Sequence, residues 1–406
     1  MTDREPQKFG GTLKARVLAA VAVLALTGSS AVWTQAPAQA NSPRPPAGKA
    51  VAFSDNPQHI PDRPGKHLGF VVTHFYYAMF QGKDACPSGM NKILTSQEYL
   101  ARQSPEERTR LLLPANAREL YRGMNSNGPK GENLCEVPWA VPDAPLTMLS
   151  GDRNDGLNLD GWDGHGRPPA DICPQKQYIG EHGEHGIDNQ LGRIYACLNG
   201  VREKGTLEPY FTQVMRSGMW SMLIDVSGVH NGRNDPDVVV DVYAGAEPMV
   251  RDAAGNVLTN ASLSPLADPK FHRRMRGKIT NGVLETAPIE ELTIPDIMLK
   301  KRPPMEIFRP RFQLTLAPDG TAKGMLGGYR TISTLFVAGE SSATPLSYVG
   351  YQCEGMYHAL RKYADGDRNP ATGSCDQISM AFRIDAIPAF IVHPERQPVM
   401  SFARAR

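Results

Sequence analysis

Strand-length segments separated by turn signals dominate the second half of the chain and constrain its fold more than any other feature. Runs such as MWSMLIDVSGV and VVVDVYA are rich in β-branched and aromatic residues, which favour strands. Asn231-Gly232 and Asn281-Gly282 stand between such runs and are typical of tight hairpins. The predicted strands cover residues 68–80, 219–229, 238–244, 276–286, 312–316, 320–326, 332–337 and 377–392. Their length and spacing predict an antiparallel β-sandwich or a distorted barrel.

The predicted helices are few and short. Thr95 with Glu98, and Ser104 with Glu107, have the spacing of capping boxes and predict two helix starts. Further helical patterns cover residues 115–122, 189–199 and 355–364. The chain has 38 Gly and 34 Pro in 406 residues, which favours long loops over a helical bundle. The predicted fold class is therefore α+β, mainly β, with a few short helices and long loops stapled by disulfides.

The first 40 residues have the features of a secretory signal peptide. Basic residues up to Arg16 precede an apolar run at 17–27, and Ala38-Gln39-Ala40 has the form of a cleavage site. The apolar run is too short to span a bilayer, since a spanning helix needs about 20 residues. We therefore expect a secreted or periplasmic protein with no membrane span once the signal peptide is cleaved.

A proline-rich segment and a large remainder follow this leader. Residues 41–66 contain six prolines and little apolar periodicity, which predicts an extended arm or linker. Residues 67–406 are predicted to form one compound β-rich domain. An alternative division separates a loop- and helix-rich part at 67–205 from a β-rich part at 206–406.

The cysteines predict a disulfide framework, because they are even in number, follow a secretory leader and contain no C-x-x-C pair. Closure of short loops favours three local pairings, although sequence leaves the connectivity open. These local pairings are Cys86 with Cys135, Cys173 with Cys197, and Cys353 with Cys375.

The overall charge gives no support for nucleic-acid binding. The chain has 44 basic and 42 acidic residues, and the leader holds four of the basic and two of the acidic ones. The remainder is formally neutral, whereas nucleic-acid binding needs a surplus of positive charge on some face. Residues 270–311 do hold ten basic residues against five acidic ones. That stretch predicts either a solvated strand face or a patch for an anionic polysaccharide or another envelope component.

Residues 151–164, GDRNDGLNLDGWDG, form the first candidate ion site. Calcium takes six to eight oxygen ligands from a flexible loop, and this composition supplies them. The loop lacks the glycine and terminal glutamate of an EF-hand. Turns and helix caps without an ion are the alternative interpretation. The candidate ligands are Asp152, Asn154, Asp155, Asn158, Asp160 and Asp163.

Two further clusters are candidate ion sites. The first follows the last predicted helix with an oxygen-rich D-x-D-x-N pattern, but Pro370 stands where an EF-hand has glycine. The second has two histidines in H-x-x-H spacing that could bind zinc, although helical zinc sites need a four-residue separation. A turn with Asp188 capping the next helix is the alternative there. The candidate ligands are Asp365, Asp367, Asn369 and Asp376 in the first of these clusters, and His182, His185 and Asp188 in the second.

Two functions fit these patterns. The first is a secreted or periplasmic calcium-binding β-rich protein with a binding or structural role in the cell envelope. The second is a secreted metal-dependent hydrolase that combines the Asp152–Asp163 loop with the His182/His185 segment and uses zinc to activate water. No nucleophile motif such as G-x-S-x-G and no phosphate-binding glycine loop occurs in the chain, so no catalytic residue is predicted.

Overall fold

Eight antiparallel strands close into a barrel within the residues that the computed structural model describes, which are 60–125, 128–295, 304–336 and 350–393. The strands of the described chain are β1 (Lys66–Tyr77), β2 (Met222–Val229), β3 (Asp235–Ala244), β4 (Ala261–Leu263), β5 (His272–Thr280), β6 (Val283–Thr286), β7 (Glu291–Ile294), β8 (Met305–Leu316), β9 (Ala322–Thr331), β10 (Gly366–Arg368) and β11 (Cys375–Ile391). The barrel order is β1-β2-β3-β5-β6-β8-β9-β11, and β11 pairs back with β1. The short strands β4 and β10 pair with β11, and β7 pairs with β8.

The predictions of a mainly β fold and of a distorted barrel are confirmed, and the sandwich is not the arrangement that the described residues form. The predicted strand at 276–286 is a hairpin of β5 and β6, turned at Asn281 and Gly282 with φ of 53° and 83°. The predicted strand at 332–337 is wrong, because Ile332–Leu335 is a helical turn. The signal peptide and residues 41–59 of the arm lie outside the described residues. The division into domains stays a prediction.

The helices are short and lie outside the barrel wall. They are α1 (Ser96–Ala101), α2 (Pro105–Leu111), α3 (Ala117–Met124), α4 (Gln190–Tyr195), α5 (Leu207–Arg216), α6 (Ile332–Leu335) and α7 (Cys353–Lys362). Thr95 forms its predicted capping box with Glu98, and Ser104 accepts a hydrogen bond from the Glu107 backbone N–H. Helix α5 has no counterpart among the predicted helices. Every helix in the described part of the chain lacks the length and apolar character that a membrane span needs.

Apolar side chains fill the barrel interior. Val240 of β3 faces Met275 of β5, and both are fully buried. The rings of Phe75 and Phe382, from β1 and β11, stack with centroids 4.2 Å apart. The interior is therefore a packed core, as small barrels require, and a ligand site has to be built on the outside or from the loops.

All six cysteines form disulfides, as predicted, but the local pairings are wrong. The bonds join Cys86 to Cys197, Cys135 to Cys353, and Cys173 to Cys375, across 111, 218 and 202 residues of sequence. Two of the three therefore tie the loop-rich first half of the chain to elements of the second half. Three disulfides are compatible with an extracellular or otherwise oxidising location.

Candidate functional site

Parts of the three predicted ion-binding segments come together beside β11. Leu157 bridges to Asp188, and the Leu159 backbone N–H donates a 2.7 Å hydrogen bond to the Asp188 carboxylate. The Cys173 backbone N–H donates to the Asp365 carbonyl at 3.0 Å. The three clusters are separate in the sequence, whereas the fold packs the loops that contain them against one another.

Hydrogen bonds within turns engage three of the six candidate ligands in the Asp152–Asp163 loop. Asp160 accepts from the Trp162 backbone N–H at 2.7 Å, and Asp163 accepts from that of His165 at 2.9 Å. Asn158 accepts from the Gly161 N–H at 2.6 Å, and Asp152 forms an exposed 2.7 Å ion pair with Lys176. Asn154 and Asp155 are buried elsewhere, as described below. This is the arrangement of turns and caps that the sequence offered as its alternative.

The second predicted cluster also spreads apart. Asp365 is buried and accepts hydrogen bonds from the Ser379 N–H and hydroxyl at 2.7 and 2.6 Å. Asp367 and Asp376 are exposed, and Asn369 caps the Ala371 N–H. Across the described residues, no group of three or more His, Cys, Asp or Glu side chains is placed to hold a metal ion. Calcium and zinc binding therefore stay predictions of the sequence.

The third cluster divides into an exposed part and a buried part. His182 and His185 are exposed, and Asp188 is buried. The Asp188 carboxylate accepts hydrogen bonds from the Leu159 and Asp160 backbone N–H groups and from the Gln177 side chain. Burial together with the nearby Asp160 carboxylate raises the pKa of Asp188 to about 7. Asn189, rather than Asp188, caps α4.

A cleft of about 230 Å³ lies where these loops meet the end of β1. It is lined by Met79, Phe80, Gln81, Gly82, Arg153, Asp155, Glu181, Glu203 and Arg383. Asp155 is the only one of these residues that the sequence analysis named as a candidate. The cleft is the best candidate functional site in the described chain, because it combines open volume with convergent charged groups.

Arg383 lies at the centre of the cleft. Its neighbours Phe382 and Ile384 point into the barrel, so strand alternation directs the Arg383 side chain outward. The guanidinium contacts three carboxylates: Asp155 at 2.6 Å, Glu203 at 3.0 Å and Glu181 at 3.9 Å. Burial raises the pKa of Asp155, and the charge of Arg383 offsets part of that effect. The three acids are therefore held around a single cation.

Two fully buried asparagines fix the wall of the cleft. Asn154 Oδ1 accepts hydrogen bonds from the Phe80 and Asp155 backbone N–H groups, at 3.1 and 3.0 Å. Asn154 Nδ2 donates to the Asn189 carbonyl at 2.8 Å. Asn189 Nδ2 donates in turn to the Ala78 and Asp155 carbonyls, at 2.8 and 2.6 Å. This network joins the end of β1, the Asp155 loop and the start of α4, so Phe80 and Asp155 are held in place before any ligand arrives.

The charges at the cleft compensate one another. Arg153 donates to the Glu181 carbonyl at 3.2 Å and lies 5.6 Å from the Phe80 ring centroid. Arg202, just behind the lining, donates to the Gln81 carbonyl at 2.7 Å. The guanidinium groups of Arg153 and Arg383 thus offset most of the charge of the three carboxylates in the lining, and Arg202 is bonded to Gln81 behind them. The Gln81 Nε2 group is buried without a hydrogen-bond partner among the described residues, so one donor of this lining residue is unsatisfied.

The described basic residues of the stretch at 270–311 are paired with acids, except Arg311, which donates to the Asn158 carbonyl. Arg276 lies 3.5 Å from Asp237, and Lys278 lies 3.1 Å from Glu285. Lys270, Arg273, Arg274 and Arg309 have carboxylate partners as well. Lys300, Lys301 and Arg302 lie outside the described residues. This pairing fits the solvated-face interpretation of the stretch.

The sequence signal for Arg383 is its position between apolar residues in a predicted strand, which it shares with Asp385. It indicated an outward-facing side chain, but it gave no information about the partners. A comparison with known proteins supplies none either, since no family model, no curated protein and no solved structure matches the chain. The function of the cleft therefore has to be argued from its own chemistry.

Proposed function

We propose that the protein is an exported binding protein, and that the Arg383 cleft takes a small, neutral, polyhydroxylated ligand of the saccharide class. The observation that supports this most directly is the set of three carboxylates held on one guanidinium beside an aromatic ring. Vicinal hydroxyl groups donate to carboxylates and accept from N–H donors, and the apolar face of a sugar ring packs on an aromatic side chain.

The size and charge of the cleft agree with such a ligand. Clefts for drug-sized ligands have volumes of roughly 300–1,000 Å³, so about 230 Å³ suits a smaller molecule, of the order of one sugar ring. Because arginines compensate the carboxylates, a ligand without net charge meets no uncompensated field. The buried Gln81 Nε2 donor would gain an acceptor from a ligand hydroxyl.

Binding is favoured over metal-dependent hydrolysis by the position of the histidines. A hydrolase of the type considered above would need His182 and His185 at the site, but both are exposed and neither lines the cleft. Export is supported by the signal-peptide features of the leader and by the three disulfides.

Calorimetric titration with three sugars of one scaffold tests the proposal. We expect glucose, which is neutral, to bind more tightly than glucosamine, which is cationic, or glucuronate, which is anionic. Galactose and mannose extend the neutral series. Arg383→Met should abolish binding, whereas Arg276→Met, which removes an exposed arginine outside the cleft, should leave it unchanged.

Two results would count against this function. If no neutral mono- or disaccharide binds, the ligand class is wrong. If Arg383→Met binds a sugar as the parent does, the site is elsewhere. Release of reducing ends from a bound disaccharide would instead show that the cleft is hydrolytic.

A further inference from the structure

Two buried carboxylates lie side by side on the outer wall of the barrel, away from the cleft. Asp225 of β2 is directly opposite Asp241 of β3, and their exposed fractions are 6% and 2%. Like charges directly opposite one another destabilise a sheet, and buried charges are costly unless they are paired. The wall must therefore supply compensating positive charge.

That compensation differs between the two carboxylates. Asp241 accepts two 2.8 Å hydrogen bonds from Arg274 and contacts His272 Nε2 at 2.7 Å. Asp225 is contacted by His67 Nδ1, which lies 3.1 Å from both carboxylate oxygens. Burial would raise the pKa of Asp241, but its bonds to His272 and Arg274 hold it below its ordinary value. Burial raises the pKa of Asp225, and His67 offsets only part of this.

The same wall holds the amino-terminal end of the described chain. Arg274 Nη1 donates to the Ile60 carbonyl at 2.9 Å, and Arg274 Nη2 lies 2.8 Å from Asp62. Arg63 forms an ion pair with Asp237 of β3, and Ile60 is only 2% exposed. The segment 60–67 therefore lies against β2, β3 and β5, and its position depends on the charge of this wall.

We propose that the wall is a proton-sensitive clasp, in which protonation of His67 and His272 tightens the hold on the amino-terminal segment 60–67 and deprotonation loosens it. Imidazole is the side chain that titrates between pH 5 and 8. Because Arg274 keeps its charge in that range, we assign the change in the charge of the wall to these two histidines. When the histidines are neutral, the buried Asp225 carboxylate, which lies beside Asp241, has no fully charged partner. Strand β1, which carries His67, is then held less tightly.

Every element packed against the wall contributes a charged or titratable group. The groups are His67 from β1, Asp225 from β2, Asp237 and Asp241 from β3, His272, Arg274 and Arg276 from β5, Asp62 and Arg63 from the amino-terminal segment, and His393 after β11. The ring of His272 stacks on Tyr243, with centroids 4.4 Å apart, which fixes its orientation. The set holds four aspartates and three arginines, so its net charge is −1 with neutral histidines and +1 when His67 and His272 are protonated, and the buried aspartates gain from that change.

Hydrogen exchange by mass spectrometry on the full chain tests the clasp. Protection of peptides spanning 60–72 is compared at pH 5.5 and pH 8, after correction for the intrinsic exchange rates. We expect about tenfold greater protection at pH 5.5, the size of effect that one charge-assisted hydrogen bond produces. The double variant His67→Gln, His272→Gln should lose this difference. His74→Gln, in the same strand but facing Glu208, should keep it.

Substitutions of permanently charged residues distinguish the pH-dependent clasp from a general loss of stability. Arg274→Met should expose the 60–67 segment at both pH values. Asp62→Asn removes only the exposed partner of Arg274, so it should loosen the segment modestly and keep the pH difference. Equal protection of the parent protein at the two pH values overturns the proposal, as does a pH difference that survives in the double histidine variant.

Discussion

Replacing Asp188 by asparagine should stabilise the protein at neutral and alkaline pH. The Asp188 side chain is buried beside Asp160, and its pKa is about 7 in the fold against an ordinary value of 3.8. Each unit of pKa difference corresponds to about 1.4 kcal/mol, so an ionised Asp188 costs the fold on the order of 4 kcal/mol above pH 7. Asparagine removes that cost because it carries no charge.

The hydrogen bonds of the site can survive this substitution. The asparagine oxygen can accept from the Leu159 and Asp160 N–H groups, as one carboxylate oxygen does now. The new amide N–H₂ would face Gln177, whose Oε1 is buried without a partner in the described chain. Rotation of the Gln177 amide therefore converts its present donor contact into an acceptor contact and leaves its Nε2 instead of its Oε1 without a partner, so the number of unpaired buried atoms does not rise.

The sign of the pH dependence follows from the raised pKa. Between about pH 4 and 7 the fold binds a proton that the unfolded chain does not, so the contribution of Asp188 to stability grows as the pH falls. Urea unfolding should show Asp188→Asn more stable than the parent by up to about 4 kcal/mol at pH 8 and by about 2 kcal/mol at pH 5. The control Asp163→Asn, exposed in the neighbouring loop, should show neither gain. A gain of the same size at both pH values, or no gain at pH 8, would refute this reasoning.

Three further outcomes are expected. Asn189→Ala should lower the free energy of unfolding by about 2–4 kcal/mol in chemical denaturation, since it leaves the Ala78 and Asp155 carbonyls without their buried donor, and it should weaken sugar binding by displacing Asp155. Phe382→Ala should cost about 3–5 kcal/mol in the same assay, because it opens a cavity beside Phe75 in the barrel core. Adding EDTA should leave the melting temperature unchanged, since hydrogen bonds or ion pairs already engage each of the six candidate ligands of the Asp152–Asp163 loop; a lower melting temperature together with stoichiometric calcium in metal analysis would restore the calcium interpretation.

The barrel strands could be predicted because their signal is local. Alternating burial and β-branched composition can be recognised within ten residues of sequence, and β2, β3 and β11 begin and end within a few residues of the predicted bounds. The segment at 332–337 has the same composition, but its prediction as a strand was wrong. The cause lies in the neighbouring strands and not in the segment itself. The β9 ladder with β11 ends at the pair Thr331 and Gln377, so the next residues satisfy their backbone in a helical turn, with the Phe336 N–H donating to the Ile332 carbonyl.

The cleft could not be predicted, because its partners are brought together only by the closed barrel. Arg383 and Asp155 are separated by 228 residues, and neither has a neighbour in sequence that indicates the other. A density of acids and asparagines identified two loops that contribute to the lining of the cleft, since polar residues accumulate where a long loop must satisfy its own backbone. The same density gave no information about the partners of each side chain. Asn154, predicted as an ion ligand, joins Phe80 to Asp155 through buried hydrogen bonds.

The disulfide pairing could not be predicted from the sequence either, and the reason is energetic. Loop closure in an unstructured chain favours near neighbours, which is why the local pairings were the natural expectation. In the folded chain the pairing is set by which loops already lie together, and Cys135 meets Cys353 because α7 packs against the turn at Pro138–Ala140. A bond that closes about 100 residues or more is worth roughly 4–5 kcal/mol in the chain-entropy account, more than one that closes a short loop. The observed connectivity therefore stabilises the whole fold, and because two of the bonds join the loops of the first half to α7 and β11, chemical reduction should lower the free energy of unfolding measured in urea.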